Sequence, residues 1–216
     1  MGFDGQRARP GEALARLRVA IVDDHLPVRE GLRELLDAEP DLIVVGEAAS
    51  FVEARAVVPV CGAQVAIIDT DLGDGCGILL CRRLRSADPS LVCLLLTSFD
   101  DDDAFLSAIV AGASGLVLRQ LHGGATIAAV RRAAVGESIL TAAVRERALR
   151  RILLRVVQDT DRSAVTGRER RMVEAVVVGK TDREIGVELR VDEDSVHGYV
   201  SNLTTALGLQ PPVWPG

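Results

Sequence analysis

Five short apolar runs constrain the fold of this chain more than any other feature. They lie within about the first 120 residues and are rich in Val, Ile and Leu without alternating polar residues. This composition is typical of strands buried on both faces. The runs are Arg18–Val22, Leu42–Gly46, Val65–Ile68, Leu91–Leu96 and Gly115–Leu118. Amphipathic stretches with apolar residues at helical spacing lie between them, at Val28–Ala38, Ile78–Ser86, Ala104–Ala111 and Ala125–Ala134.

The alternation of strands and helices predicts an α/β domain. Five βα units imply a flavodoxin-like, doubly wound sheet of five parallel strands with helices on both faces. In the third predicted helix, Leu80 and Leu84 lie four residues apart on the inner face, which leaves Arg82, Arg83 and Arg85 pointing outward. In such a sheet the functional site lies at the carboxyl ends of the strands.

The pattern changes after residue 137. Thr141–Val157 reads as one helix whose exposed face carries several arginines, and it is followed by a polar linker. Capping-box patterns at Thr166 and Thr181 and a capping Asp192 then predict three short helices, with Gly179 ending the first of them. Three short helices with tight turns indicate an all-α helix-turn-helix domain. The predicted organisation is a disordered tail (1–16), an α/β domain (17–137), a linker helix and linker (138–164), the helix-turn-helix domain (165–208) and an irregular tail (209–216).

Composition excludes several classes of protein. No apolar run is long enough to span a membrane and no secretion signal precedes the first strand, so we expect a cytoplasmic protein without a membrane partner. The four cysteines form no CxxC pair, which favours reduced, buried thiols. The net charge of −6 is not that of a typical nucleic-acid binder. We find no arrangement of nucleophile and base, and we expect no enzyme.

Acidic residues follow two of the predicted strands. Asp23 and Asp24 come directly after the first strand, and Asp69 ends the third. Because these strands are commonly neighbours, the three carboxylates should converge at one edge of the sheet. Carboxylates of this kind bind Mg²⁺, which can neutralise a phosphoryl group arriving at a carboxylate nucleophile. Thr97 ends the fourth strand and offers a hydroxyl to such a group, and Arg119 ends the fifth and offers a cation.

These motifs resemble the receiver domain of response regulators. The resemblance rests on Val19–His25, Gln64–Gly75, Leu94–Ser98 and Gly112–Arg119, in that order and spacing. It implies that Asp69 is the phospho-acceptor and that a sensor histidine kinase is the partner. It also implies that Asp23 and Asp24 hold Mg²⁺ together with Asp69 and the main-chain carbonyl of Asp71, and that Thr97 couples phosphorylation to the signalling surface.

Four positions depart from the receiver pattern. Arg119 stands where the family has a lysine, and arginine is a bulkier, planar group that is not equivalent. Leu116 replaces the aromatic residue of the fifth strand, and Gly73 replaces the proline after the acceptor. The acidic run Asp100–Asp103 is either a solvated loop whose acids favour the next helix N-terminus, or a negative potential that opposes a phosphoryl group. These changes are compatible with metal binding and indicate atypical phospho-switching.

The segment Val165–Gly208 contains a set of motif residues, namely Thr166–Arg170, Gly179, Glu184-Ile185, Ser195-Val196, Tyr199 and Leu207-Gly208. On these residues it resembles the LuxR-type DNA-binding domain of NarL/FixJ response regulators. The receiver part is most similar to the actinobacterial dormancy regulators (DosR/DevR-like). No Lys or Arg occurs from Glu193 to Ala206, and Asp194 and Glu193 have the wrong sign for phosphates. The family usually has a lysine at the position of His197. The remaining candidate DNA donors are Ser195, His197, Tyr199, Ser201 and Asn202, which could equally form a solvated helix face.

The sequence therefore predicts a two-component response regulator that controls transcription, atypical in both phospho-switching and DNA contacts. The alternative is a degenerate regulator that binds no DNA and acts through contacts with a kinase or another regulator. Gln210–Gly216 cannot form the further helix that the family often uses for dimerisation. The linker helix remains a candidate surface for packing on the receiver, or for a homodimer or a heterodimer with another regulator.

Overall fold

The computed structural model describes residues 16–98, 102–119, 123–138, 140–159 and 166–209 of the 216-residue chain. Its strands are β1 (Leu17–Val22), β2 (Leu42–Ala48), β3 (Val65–Asp69), β4 (Asp71–Leu72), β5 (Gly75–Cys76), β6 (Val92–Thr97) and β7 (Gly115–Leu118). Its helices are α1 (Leu26–Asp37), α2 (Phe51–Cys61), α3 (Gly77–Ala87), α4 (Asp102–Ala111), α5 (Gly123–Ala134), α6 (Ala142–Asp159), α7 (Gly167–Val178), α8 (Asp182–Leu189) and α9 (Glu193–Ala206). Apart from Arg16 and Leu209, the two predicted tails lie outside the described residues, as does the linker after Asp159.

The five long strands form one parallel sheet in the order β2-β1-β3-β6-β7. β1 and β3 are hydrogen-bonded neighbours, so the ends that carry Asp23 and Asp69 lie side by side. β2 lies on one side of β1, and the later strands are added on the other side. This change of direction after β2 is typical of a doubly wound fold. The predicted fold class is therefore confirmed, including the adjacency of the first and third strands.

Alternate residues of the strands supply two apolar cores, one on each face of the sheet. On one face, Val19 and Ile21 pack with Leu36 of α1 and with Ile127 and Val130 of α5. On the other face, a larger cluster joins the sheet to α2, α3 and α4 and continues into α6, α7 and α9. Every residue from Val19 to Val22 is fully buried, which explains why this strand is apolar throughout. The helical C-terminal part is packed against one face of the α/β part.

The C-terminal helices begin and end where capping residues dictate. Thr166 and Thr181 each form a complete capping box with the glutamate three residues later, and the Asp192 side chain caps α9. Gly179 ends α7 in the left-handed conformation, with φ of 91°. These predicted signals are confirmed. Among the described residues, no helix combines the length and apolar character that a membrane crossing requires.

Candidate functional site

Three carboxylates meet at the carboxyl ends of β1 and β3. Ligand atoms of Asp23, Asp24 and Asp69, together with one of His25, all lie within 4.8 Å of one another. Asp23 and Asp69 are almost fully buried, while the side chain of Asp24 is 30% exposed. The doubly wound topology brings them together, because each acidic residue ends or directly follows a central strand.

Burial controls the protonation of the two inner carboxyl groups. Loss of hydration raises the pKa of Asp69 to about 6. The nearby Arg119 and the Asp71 amide lower this pKa but do not outweigh the effect of burial. The pKa of Asp23 is also raised by burial, although the His25 amide donates a 2.8 Å hydrogen bond to its Oδ1. Asp69 is therefore mostly ionised at neutral pH but close to its midpoint in mildly acidic solution.

Arg119 closes the pocket from the end of β7. Its Nη2 forms an ion pair with Asp69 Oδ2 and lies 3.1 Å from Asp23 Oδ2. Its main-chain amide donates a 2.9 Å hydrogen bond to the carbonyl of Thr97, which fixes the backbone from which the side chain extends. The guanidinium is thus a single positive charge in contact with both buried carboxylates.

The donor set fits a hard divalent cation. Asp23 Oδ2 and Asp24 Oδ1 are buried oxygens that accept no hydrogen bond, although each lies near a cationic or titratable side chain, Arg119 and His25 respectively. Oxygen ligands of this kind suit Mg²⁺. The side chain of Asp71 is exposed at the start of β4 and is not among the groups that converge in this cluster.

Thr97 is the last residue of β6 and is 7% exposed. Asp69 pairs in register with Leu96, so Thr97 lies one residue beyond the acceptor on the neighbouring strand. Leu116, in the position of the family's aromatic residue, is half-buried and packs against the larger core. Asp69 and Thr97 thus end two adjacent strands, and Arg119 directly follows the next strand, β7.

Two glycines in the segment after Asp69 contact residues of the pocket. A Cβ on Gly77 would lie 1.7 Å from the main-chain oxygen of Asp69, so no larger residue fits there. The amide of Gly73 donates a 3.2 Å hydrogen bond to Asp24 Oδ2. Proline, which the family has at this position, has no N–H and could not form that bond. From the sequence, Gly73 was identified only as a replacement for the family's proline, and its hydrogen bond to Asp24 was not predicted.

The acidic run after Thr97 lies only partly within the described residues. Asp102 and Asp103 form the first turn of α4, while Asp100 and Asp101 lie outside the described part. Asp102 lies 3.7 Å from Arg147 of α6, and Asp103 forms an ion pair with Arg151 of the same helix. The two described acids thus contact the linker helix, a role that the sequence did not suggest.

The candidate DNA donors on α9 differ in their exposure. Ser195 and Asn202 are exposed and Ser201 is half-buried. The hydroxyl of Tyr199 is buried without a hydrogen-bond partner, and burial raises its pKa to about 12. The side chain of His197 is 14% exposed, and its Nδ1 lies 3.0 Å from Asp182 Oδ2.

Helix α3 of the α/β part contacts the helix-turn-helix part through its arginines. Arg82, predicted to point outward, is instead fully buried: Nε donates a 2.7 Å hydrogen bond to Asp182 Oδ1, and Nη1 donates to the carbonyl of Val110. The outward prediction was wrong because the helical pattern could not foresee a second domain packed on that face. Arg83 lies 3.0 Å from Asp194 of α9, and Ser86 Oγ accepts a hydrogen bond from the Asp182 amide.

Comparisons with known proteins agree with this architecture. The family model of the response regulator receiver domain matches residues 19–131. The DNA-binding transcriptional activator DevR/DosR of Mycobacterium tuberculosis is 40% identical, over 90% of this chain and 89% of that protein. The transcriptional regulatory protein UhpA of Escherichia coli is 33% identical, over 91% and 94%. The crystal structure of a LuxR-family two-component response regulator from Aurantimonas superposes with a TM-score of 0.55 at 28% identity, covering 63% of this chain and 98% of that one.

Proposed function

Since this chain belongs to the NarL/LuxR family of two-component response regulators, which regulate transcription, we propose that Asp69 accepts a phosphoryl group from a sensor histidine kinase and that the response is atypical. Mg²⁺ would be held by Asp23, Asp24, Asp69 and the main-chain carbonyl of Asp71. The observation that carries this proposal is the buried carboxylate pair closed by Arg119.

Each residue of the pocket has a defined task in the transfer. A carboxylate oxygen of Asp69 attacks phosphorus, the bond from phosphorus to the kinase imidazole breaks with its electron pair, and an acyl phosphate forms. Mg²⁺, when bound, neutralises charge on the phosphoryl oxygens. Arg119 and the Thr97 hydroxyl can then donate hydrogen bonds to those oxygens.

Arg119 makes the reaction atypical. At rest its guanidinium is paired with the acceptor oxygen Asp69 Oδ2, and it also lies against Asp23. Addition of a phosphoryl group at Oδ2 would require this pair to separate. A planar guanidinium has fewer ways to move aside within a buried pocket than the compact ammonium of lysine. We therefore expect phosphorylation to be slower than with a lysine at this position.

Labelling by a small phosphodonor tests the proposal. The purified protein is incubated with acetyl phosphate and Mg²⁺, and intact mass is measured for the wild type, Asp69→Asn and the control Asp88→Asn. Asp88 caps a turn at the far end of α3, where it accepts a hydrogen bond from the Ser90 amide. Wild type and control should each gain one phosphoryl group, and Asp69→Asn none. Absence of labelling in the wild type, or equal labelling of Asp69→Asn, would refute the acceptor role.

A specific observation favours a second candidate, a regulator that acts through protein contacts with a kinase, a second copy or another regulator. Helix α9 begins with Glu193 and Asp194 and has no Lys or Arg, so it offers no lysine or arginine side chain to DNA phosphates. His197 and Asp194 are also engaged by Asp182 and Arg83 in contacts at or near the interface with α3. DNA reading by α9 would require these contacts to break. We propose that DNA contacts are weakened for both reasons.

A further inference from the structure

A short hairpin follows the acceptor, formed by β4 and β5 with Gly73 and Asp74 at its turn. Each strand has two residues, which is too short to be stable without outside contacts. The hairpin begins at Asp71, the residue whose main-chain carbonyl belongs to the proposed metal site. The position of that carbonyl therefore depends on what holds the hairpin.

Asp74 fastens the hairpin to helix α2. Its Oδ1 accepts a 2.6 Å hydrogen bond from the Phe51 amide, and its Oδ2 accepts a 3.1 Å bond from the Val52 amide. These are the first two amides of α2, which have no acceptor within the helix, and the helix dipole favours a negative charge there. One carboxylate thus satisfies two free donors with charge-assisted bonds.

Two further contacts hold the other sides of the hairpin. The Gly73 amide donates to Asp24 Oδ2, and the side chain of Leu72 is 2% exposed in the larger core. A Cβ on Gly75 would lie 2.8 Å from the ring of Phe51, so the ring and the hairpin backbone are in close contact. Asp74 is the only one of these anchors that joins the hairpin to α2 through a charged group.

We propose that Asp74 is a positioning residue for the metal site: it holds the backbone at Asp71 so that the carbonyl can serve as a ligand. This inference rests on the metal site of the proposed function. Asp74 itself need not touch the cation. Residues that orient metal ligands in this indirect way typically change metal affinity about 10- to 100-fold when they are removed.

The test measures the Mg²⁺ dependence of labelling by acetyl phosphate, together with amide hydrogen exchange. Asp74→Ala removes both acceptors, and Asp74→Asn keeps a single oxygen acceptor. Asp88→Ala is the matched control, since Asp88 likewise accepts hydrogen bonds from a neighbouring amide and hydroxyl, both of Ser90. It lies at the opposite end of α3, roughly 16 Å along the helix axis from Gly77.

Asp74→Ala should raise the Mg²⁺ concentration for half-maximal labelling about tenfold, with the same plateau at saturating Mg²⁺, and should speed exchange at Phe51 and Val52. Asp74→Asn should fall between it and the wild type, and Asp88→Ala should match the wild type. An unchanged half-maximal Mg²⁺ concentration in Asp74→Ala overturns the inference. A lowered plateau that excess Mg²⁺ does not restore also overturns it, because that result indicates general damage. A wild type that shows no Mg²⁺ dependence refutes the metal site itself.

Discussion

Arg119 is the single residue that most distinguishes this pocket. Its contacts with both buried carboxylates explain how Asp23 and Asp69 can be ionised side by side at the end of two adjacent strands. The sequence predicted a cation at this place but not that it would contact both Asp69 and Asp23. That detail depends on how far the guanidinium reaches, which only the packed structure determines.

Arg119→Lys should increase the rate of labelling by acetyl phosphate several-fold. The ammonium is smaller and has more freedom to leave Asp69 Oδ2 when the phosphoryl group arrives. Time courses of intact mass measure the rate, and Arg132→Lys is the control because its ion pair with Glu137 lies on the surface of α5. A rate equal to or below that of the wild type would contradict the role given to Arg119.

The raised pKa of Asp69 predicts a pH-dependent stability difference. In the folded state the carboxyl group of Asp69 keeps its proton up to about pH 6, whereas in the unfolded chain it loses the proton near pH 3.8. Stability contributed by the protonated group is therefore present at low pH and lost as pH rises through this window. Without metal, Asp69→Asn should gain stability over the wild type between pH 4.5 and 7.5, on the order of 2 kcal/mol.

Denaturant unfolding in chelator measures this difference, and Asp88→Asn serves as the exposed control. The free energy of unfolding of this control should lie within about 0.5 kcal/mol of the wild-type value. A constant difference between Asp69→Asn and the wild type would show that burial does not raise the pKa of Asp69.

Among the secondary-structure elements, the five strands of the sheet could be predicted from the sequence, but helix α2 and the β4–β5 hairpin could not. Buried parallel strands leave an apolar signature, so all five sheet strands were predicted close to their observed bounds. Helix α2 went unassigned because Pro59 interrupts it and its apolar residues form no clear stripe. The β4–β5 hairpin has two-residue strands, too short for any sequence pattern. Arg82 was misplaced because its partner Asp182 lies 100 residues away in the chain.

Gly77 at the start of α3 should tolerate no side chain. A methyl group there meets the Asp69 carbonyl oxygen at 1.7 Å, so Gly77→Ala must displace the acceptor strand or the helix. We expect a loss of more than about 2 kcal/mol of stability together with loss of labelling. Thermal and denaturant unfolding measure the first effect, and intact mass measures the second.

Gly124→Ala in α5 is the matched control, since a Cβ there has no atom within 4 Å. Alanine has the higher helix propensity, so this variant should gain about 0.5–1 kcal/mol. Equal behaviour of the two variants would show that the close approach at Gly77 is not a real constraint.

At the scale of the whole molecule, the contact between α3 and the helix-turn-helix part is the central feature. Arg82 and Asp182 are both buried, so removing one leaves an uncompensated charge unless the two parts separate. Asp182→Ala should therefore strongly weaken the contact between α3 and the helix-turn-helix part, and the molecule should expand. Small-angle X-ray scattering should record a larger radius of gyration than for the wild type.

Arg83→Gln is the control for this prediction. The ion pair between Arg83 and Asp194 is exposed, and such pairs contribute about 0–1 kcal/mol. The radius of gyration of this variant should therefore equal that of the wild type. If Asp182→Ala stays as compact as Arg83→Gln, the buried pair does not hold the two parts together.

We propose above all that this response regulator has weakened DNA contacts. Fluorescence anisotropy of the full-length protein on random and genomic DNA fragments, over a salt series, tests it most directly. The slope of log affinity against log salt reports the phosphates contacted, at about −0.9 for each one. Because α9 has no Lys or Arg to contact phosphates, we predict weak binding with a slope shallower than about −3. Tight binding with a much steeper slope would contradict the proposal that DNA contacts are weakened. It would indicate a basic DNA-binding surface outside α9.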